Sequence, residues 1–276
     1  METSARVLAV VPAYNEEGNI GGVVRELACI TPFLDVLVVD DGSTDRTAEE
    51  AAGKGAQVIS HGRNLGIGEA VRTGMEFALR NGYSIAVQVD GDGQHDPSFI
   101  FRLLAPLVTG QADVTVGSRF LGAGGYRPPW HRRAGIRLLA EVVAGVTGRP
   151  TTDTTSGFRA MNRRALAFLV HNYPPDYPES ESLVLMHMAG IRWMEVPVAM
   201  RRRLKGDSSI RNISAAGYMI KVLTRIAMDA LRIRVPRPAA QRGQEPLSMA
   251  VEPVVDMPLS MFFDSPEGPK VCRAPF

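Results

Sequence analysis

The chain has 276 residues, of which 45% are hydrophobic and 22% charged, with a net charge of only +2; that composition fits a globular fold and excludes a disordered polyelectrolyte or a fibrous repeat. The two cysteines, Cys29 and Cys272, show no metal-ligand spacing and suit a reducing, cytoplasmic compartment, while no signal peptide and no run of 18 uncharged apolar residues is present. Charge is uneven: from Arg192 to Arg237 eleven Lys or Arg stand against Glu195, Asp207 and Asp229, which suits a phosphate, a diphosphate or an acidic membrane surface and, lacking interleaved aromatics, argues against nucleic acid.

Residues 6–11 form an apolar run closed by Pro12, predicting a strand buried on both faces. Residues 19–30 carry apolar positions at helical spacing. Residues 36–39 predict a second buried strand that ends at Asp40-Asp41-Gly42-Ser43, and a helix starts within 43–49 with Ser43 or Thr44 as N-cap. A short strand at 57–59, a helix at 66–79 and a strand at 85–89 follow. Residues 97–108 read as a helix with proline in its first turn, and 114–116 as a fifth strand. This alternation indicates an α/β fold, a doubly wound, mostly parallel sheet with helices on both faces.

Beyond Arg119 the pattern loosens. A Gly/Pro-rich loop at 122–129 precedes a helix at 131–146, and a loop at 151–158 precedes a helix from near Asn162. Residues 179–189 are helical and 193–198 strand-like. Residues 213–235 form an amphipathic helix with Lys221, Arg225, Asp229 and Arg232 on one polar stripe. Residues 236–276 hold eight prolines and read as a mostly disordered tail, with a short apolar segment at 257–263. The organisation is therefore a catalytic domain at 1–212, the amphipathic helix at 213–235 and the tail at 236–276.

Ligands of such sheets bind beyond the carboxyl ends of the strands, where Tyr14, Asp40, Asp41, Asp90 and Asp92 fall. Two carboxylates two residues apart, in Asp90-Gly91-Asp92-Gly93-Gln94, can converge on one divalent cation. Such oxygens suit Mg²⁺ or Mn²⁺, and the amide oxygen of Gln94 offers a further ligand. The ion would neutralise charge growing on a departing nucleoside diphosphate; the bland alternative is a turn with solvated aspartates. Asp40 or Asp41 can accept hydrogen bonds from a base or ribose, or can cap the following helix. Asn64, Gly66 and Gly68 lie in a turn entering a helix, a geometry suited to phosphate, although without the dinucleotide or P-loop fingerprint.

Residues 11–17 (Val-Pro-Ala-Tyr-Asn-Glu-Glu), 39–45 (Val-Asp-Asp-Gly-Ser-Thr-Asp), 90–97 (Asp-Gly-Asp-Gly-Gln-His-Asp-Pro) and 117–120 (Gly-Ser-Arg-Phe) together resemble the motif series of family 2 glycosyltransferases with a GT-A, Rossmann-like fold. Residues 153–159 (Asp-Thr-Thr-Ser-Gly-Phe-Arg) and 202–209 (Arg-Arg-Leu-Lys-Gly-Asp-Ser-Ser) extend the likeness to the polyprenyl-phosphate, dolichyl-phosphate mannose synthase-like branch, over roughly 6–212. The resemblance implies that Pro12, Ala13, Tyr14 and Glu16 surround the base and ribose, with Asp40 or Asp41 reading the base edge. It implies that Asp90, Asp92 and Gln94 hold the metal, Arg119 faces the acceptor phosphate and Ser156 lies in the acceptor loop. Arg202 or Arg203, with Ser208, would clamp the donor diphosphate, a task that suits forked guanidinium groups. Glu179 is the first candidate for a catalytic base and Asp153 the second; either can instead be a helix-start carboxylate.

The reading is an inverting transfer from a nucleoside-diphosphate sugar to a polyprenyl phosphate, the runner-up being a saccharide or soluble small-molecule acceptor. Some members of the branch carry transmembrane helices after the catalytic domain, where this chain has its amphipathic segment; that segment either lies on a membrane or a membrane-bound partner, or packs on the catalytic domain or a dimer mate. A nucleotidylyltransferase would want a basic, glycine-rich first loop in place of Pro12–Glu16. A non-catalytic nucleotide-sugar binding subunit would show degenerate acidic motifs, and here they are intact.

Overall fold

The computed structural model describes residues 6–30, 34–122, 128–174 and 178–202, together with residue 224. Strand β1 (Val7–Ala13) buries all seven of its side chains, as a strand covered on both faces must. It lies inside a seven-stranded sheet of order β3-β2-β1-β4-β6-β5-β7. The other strands are β2 (Leu34–Asp40), β3 (Gln57–Ser60), β4 (Ile85–Gln88), β5 (Val114–Ser118), β6 (Arg159–Asn162) and β7 (Trp193–Pro197). All pairings are parallel except those of β6, which runs antiparallel between β4 and β5.

The helices are α1 (Ile20–Ala28), α2 (Thr47–Ala52), α3 (Ile67–Arg80), α4 (Ile100–Val108), α5 (Trp130–Thr147), α6 (Arg163–Asn172) and α7 (Pro178–Met188). The period of two along β1 divides them between the faces. Leu8 and Val10 pack with Met75 of α3, Leu139 of α5, Leu166 of α6 and Leu183 of α7. Val7, Ala9 and Val11 pack with Ile20 and Leu27 of α1 and with Leu103 and Leu107 of α4. Each buried Val, Leu, Ile or Met among them contributes roughly 1.5–3 kcal/mol of transfer free energy. Among the described residues no helix is long and apolar enough to cross a membrane.

Three expectations are corrected. The segment read as leading from the 151–158 loop straight into a helix contains β6, whose short Arg-Ala-Met-Asn run has no periodicity of its own and becomes a strand because β4 and β5 each offer it an edge. Neither Ser43 nor Thr44 caps α2: the helix starts at Thr47, and Asp45 Oδ1 accepts the Thr47 N–H at 3.0 Å. Pro12 does not close β1, which runs on to Ala13 beside Asp40 of β2. The β1–β4 pairing ends at Val10 and Gln88, so no ladder bond to β4 is lost at the proline. The predicted helix at 213–235 and the tail at 236–276 lie outside the described residues, apart from residue 224.

The two ends of the sheet are used differently. At the amino ends of the strands the charges are structural: Asp113, only 1% exposed, accepts from Asn162, Arg164 and Arg192. The carboxyl ends carry the loops considered below.

Helix α3 approaches β1 so closely that a Cβ on Gly74 would lie 2.1 Å from Val10 Cγ1. Gly74→Ala should therefore destabilise the fold by about 1–3 kcal/mol despite the better helix propensity of alanine. Combined with Val10→Ala it should cost less than the two single changes added together. Urea unfolding of the four proteins checks this; additive losses would show that Gly74 and Val10 do not share the strain.

Candidate active site

At the carboxyl ends of β1 and β2, two loops are stitched together. Asn15 takes a left-handed backbone conformation, φ 53°. Its N–H donates to Ser43 Oγ at 2.9 Å and its Oδ1 accepts the Thr44 N–H at 2.8 Å. The N–H groups of Glu16 and Glu17 donate to Thr47 Oγ1 and Asp45 Oδ2. Ser43 and Thr44 are thus spent on the neighbouring loop, which is why they cap no helix. The result brings Pro12, Ala13, Tyr14, Glu16, Asp40 and Asp41 to one wall, with the Tyr14 side chain exposed on it and Glu16 buried.

The aspartate pair divides its work. Asp40 Oδ1 accepts the Ser43 N–H at 3.1 Å. Asp41 accepts N–H bonds from Leu65 and Gly66, at 2.9 and 2.8 Å, and pairs with His61 Nδ1 at 2.7 Å. His61 Nε2 in turn meets Thr73 Oγ1. Neither aspartate caps α2. The amides of the turn bearing Asn64 and Gly66 face an internal carboxylate, so the Gly66 N–H is not directed at an outside phosphate. Gly42 is required here: its φ is +72°, and a Cβ would lie 2.4 Å from the Arg63 carbonyl carbon.

Asp90, Asp92 and Gln94 sit in the turn after β4. The Asp92 carboxylate accepts the Gln94 N–H at 2.9 Å. The Asp90 N–H donates to His95 Nδ1 at 3.0 Å, placing the proton of the neutral ring on Nε2, which faces Asp90 Oδ2 at 3.5 Å. Burial keeps His95 neutral, pushing its pKa down to about 4, and the ring stacks on Phe158 at 4.6 Å. Gln94 Nε2 donates to the Arg201 carbonyl at 3.4 Å, leaving Oε1 as an acceptor.

This turn is wedged between two other segments. A Cβ on Gly91 would lie 3.2 Å from the Pro12 oxygen and 3.4 Å from Ala13 Cβ; one on Gly157 would lie 3.1 Å from Asp90 Oδ1 and 2.9 Å from Gln88 Nε2. Among the described residues no group of three or more His, Cys, Asp or Glu is arranged to hold a metal ion alone. The donor set of two carboxylates and an amide oxygen, with Asp90 37% exposed, nonetheless fits a hard cation that completes its shell from a bound ligand and water.

On the far side runs the loop 151–158, largely buried. Glu195 of β7 accepts the N–H groups of Thr152 and Asp153 and the hydroxyls of Thr151 and Thr152. Asp153 holds Arg119 in a forked pair, both bonds 2.6 Å, with the aspartate fully buried. Both oxygens of Asp153 accept from Arg119 in this arrangement. Arg119 Nη2 also reaches Thr155, while Nη1 takes part in none of these bonds. The Ser156 hydroxyl turns inward, accepting the Phe158 N–H at 3.3 Å.

Glu179 stands in the first turn of α7. Burial raises the pKa of its carboxyl, the charge of Asp90 adds to that shift, and Arg159 opposes it. Glu179 and Asp90 therefore share one electrostatic neighbourhood. The basic stretch splits at its first member: Arg201 is committed to Glu26 and Asp96, whereas Arg202 is exposed. Arg203 and Ser208 lie outside the described residues. Sequence reading missed Asn15, His61, His95, Gly157, Arg159 and Glu195. Asn15, His95, Gly157 and Arg159 stood within the quoted motifs; His61 and Glu195 carried no local signal.

A sequence model described as glycosyl transferase family 2 matches residues 8–169, more than half of the chain. The chain is 30% identical over 233 residues to the polyprenol monophosphomannose synthase of Mycolicibacterium smegmatis, covering 79% of this chain and 85% of that one. It is 33% identical over 222 residues to the undecaprenyl-phosphate mannosyltransferase of Micrococcus luteus, covering 74% and 87%. Among solved structures, glucosyl-3-phosphoglycerate synthase of Mycobacterium tuberculosis, in complex with Mn²⁺, UDP and glucosyl-3-phosphoglycerate, has a TM-score of 0.64 at 21% identity, covering 82% and 80%. That likeness shows a common fold.

A raised folded-state pKa at Glu179 gives a signed prediction. As pH rises past the ordinary glutamate value of 4.5, the unfolded chain releases this proton first, so native stability declines until the folded group also ionises. Glu179→Gln should match the wild type in stability below that value and exceed it at pH 7. Urea unfolding in metal-free buffer across pH 4–7.5 is the measurement; a constant difference at all pH would show that Glu179 does not titrate late.

Proposed function

The chain belongs to glycosyl transferase family 2, and from that membership we propose that it transfers a sugar from a nucleoside-diphosphate donor to a polyprenyl phosphate, with inversion at the anomeric carbon. The observation that carries this reading is the wedged position of Asp90-Gly91, with Pro12 and Ala13 on one side and Gly157 of the buried loop on the other. Donor wall, acidic turn and acceptor loop are thereby contiguous. The acceptor class is supported by the polyprenol and undecaprenyl-phosphate relatives.

In this reading Pro12, Ala13, Tyr14 and Glu16 enclose the base and ribose, and Asp40 supplies the acceptor for the base edge, since Asp41 is already taken up by His61, Leu65 and Gly66. Asp90, Asp92 and Gln94 hold Mg²⁺ or Mn²⁺, which when bound supplies positive charge to the departing diphosphate. Arg202, with Arg203 and Ser208, adds charge-assisted hydrogen bonds to the same phosphates. Arg119, held rigid by Asp153, presents Nη1 to the acceptor phosphate. An acceptor oxygen attacks the anomeric carbon as the bond to the donor diphosphate breaks, the electron pair leaving on the β-phosphate oxygen. Orientation of the two reactants is the chief contribution of these residues.

A phosphate acceptor arrives as an anion and needs no base. A hydroxyl acceptor does, and Glu179, whose carboxyl is held above the ordinary glutamate value by burial, would be that base, which makes a saccharide or small-molecule acceptor the second reading. The two are separated by assaying nucleotide sugars with undecaprenyl phosphate and with soluble hydroxyl acceptors. Excess chelator should abolish transfer and Mg²⁺ or Mn²⁺ restore it. Asp92→Asn should lower kcat by about 10²–10³-fold, and Glu179→Gln should spare phosphate acceptors while impairing hydroxyl ones. Full activity in chelator sinks the metal assignment; transfer only to hydroxyl acceptors moves the conclusion to the second reading.

A further inference from the structure

Arg119, Arg164, Arg192 and Arg201 are each paired with a carboxylate. Arg159, the first residue of β6 and 2% exposed, forms no ion pair among the described residues. Nε donates to the Ser156 carbonyl at 2.8 Å. Nη2 donates to the Glu179 carbonyl at 2.6 Å and, more weakly, to that of Thr154 at 3.4 Å. Nη1 donates to Ser182 Oγ at 2.8 Å. A buried charge without a partner carboxylate is costly, so satisfying three carbonyls and a hydroxyl is a poor reason by itself to keep a guanidinium there.

Its surroundings supply a better one. The carbonyls of Thr154 and Ser156 belong to the loop whose Gly157 lies against Asp90, and that of Glu179 belongs to the first turn of α7. Ser180 Oγ adds a bond to the same Thr154 carbonyl. One rigid planar fork thus joins the loop that lies against Asp90 to the segment that presents Glu179, and its positive charge lies within electrostatic reach of Glu179. A lysine would keep the charge but not the fork.

We propose that Arg159 is a positioning residue for the transfer reaction: its buried guanidinium clamps the acceptor loop to the start of α7, holding Glu179 and the loop that lies against Asp90 in fixed relation while placing a positive charge near Glu179. It touches neither donor nor acceptor and acts through the segments it joins. The inference rests on the reading of Asp90 as part of the donor motif and of the 151–158 loop as the acceptor side.

The test compares Arg159→Met, Arg159→Lys and Ser182→Ala in the full chain, with kcat and donor KM expressed per folded protein and thermal unfolding measured alongside. Arg159→Met should lower kcat on the order of 10²-fold, the size expected when reacting groups lose their alignment, with the donor KM unchanged. Arg159→Lys should recover about a tenth of the wild-type kcat, because charge returns without the fork. Ser182→Ala removes only one partner of the clamp and should stay near the wild type. If Arg159→Met is not recovered folded, the Lys variant decides alone. Wild-type kcat in the folded Arg159 variants, or a rise confined to the donor KM, overturns the proposal. The rates are read both as transfer and as donor hydrolysis. Donor hydrolysis by the wild type without transfer to any polyprenyl phosphate would refute the acceptor assignment, while the Arg159 comparison is still decided by hydrolysis.

Discussion

A stretch of backbone buried without regular secondary structure must have its N–H and C=O groups answered by something other than a ladder. Residues 151–158 are such a stretch, and the organisation of the proposed acceptor side follows from that demand. Glu195 answers the N–H groups of Thr152 and Asp153 from β7, and Arg159 answers the carbonyls of Thr154 and Ser156 from β6. An anion therefore serves the donors at one end of the loop and a cation serves the acceptors at the other. Asp153, fixed by its own N–H to Glu195, then fixes Arg119. The loop is held by a half-buried Glu195 and a buried Arg159, and locked supporting side chains are the condition for a site held to a fraction of an ångström.

The antiparallel placement of β6 makes this arrangement available. A purely parallel sheet would send the residue before each strand to the amino-terminal edge, where Asp113, Arg164 and Arg192 do structural work. Because β6 runs the other way, the loop preceding it arrives at the carboxyl edge, alongside the Asp90–Gln94 turn. The register that sets Arg159 opposite Gln88 brings the loop to within contact of Asp90 and leaves room only for a hydrogen at position 157. Reversal of one strand thus adds the proposed acceptor wall to the carboxyl edge, where sheets of this kind bind their ligands.

What was legible in the sequence was whatever is encoded locally. The continuous apolar runs of β1 and β2 announced buried strands, and Asp90-Gly91-Asp92 announced itself by standing at the end of one. β6 was not legible, since Arg-Ala-Met-Asn has no period and owes its conformation to two neighbouring edges. Glu195 looked like one acid in a basic region because its partners are more than forty residues away. The Asp40-Asp41 pair could not be divided in advance, because the division depends on where His61 and the 65–66 amides arrive. The basic cluster misled by looking uniform: Arg201 belongs to Glu26 and Asp96, and only past it does an exposed arginine appear. In each case the missing information was the identity of a distant partner, which no spacing rule supplies.

The choice of arginine at both 119 and 159 follows from geometry as well as charge. At 119 two parallel bonds to Asp153 consume one edge of the fork and orient the other. At 159 the fork reaches carbonyls on two different segments, which three rotating ammonium hydrogens on a flexible stem would not hold at fixed angles. His95 complements them from the donor side: being neutral, it anchors the Asp90 amide and stacks on Phe158 without adding a charge to the turn. Phe158 ends the loop, so the ring that stacks on the Asp90 anchor His95 and the guanidinium that binds the Glu179 carbonyl are carried by adjacent residues, 158 and 159. The proposed donor and acceptor sides are in this way referred to a single point at the start of β6. Displacing that point moves both walls together, whereas displacing any one of its contacts changes the distance between them.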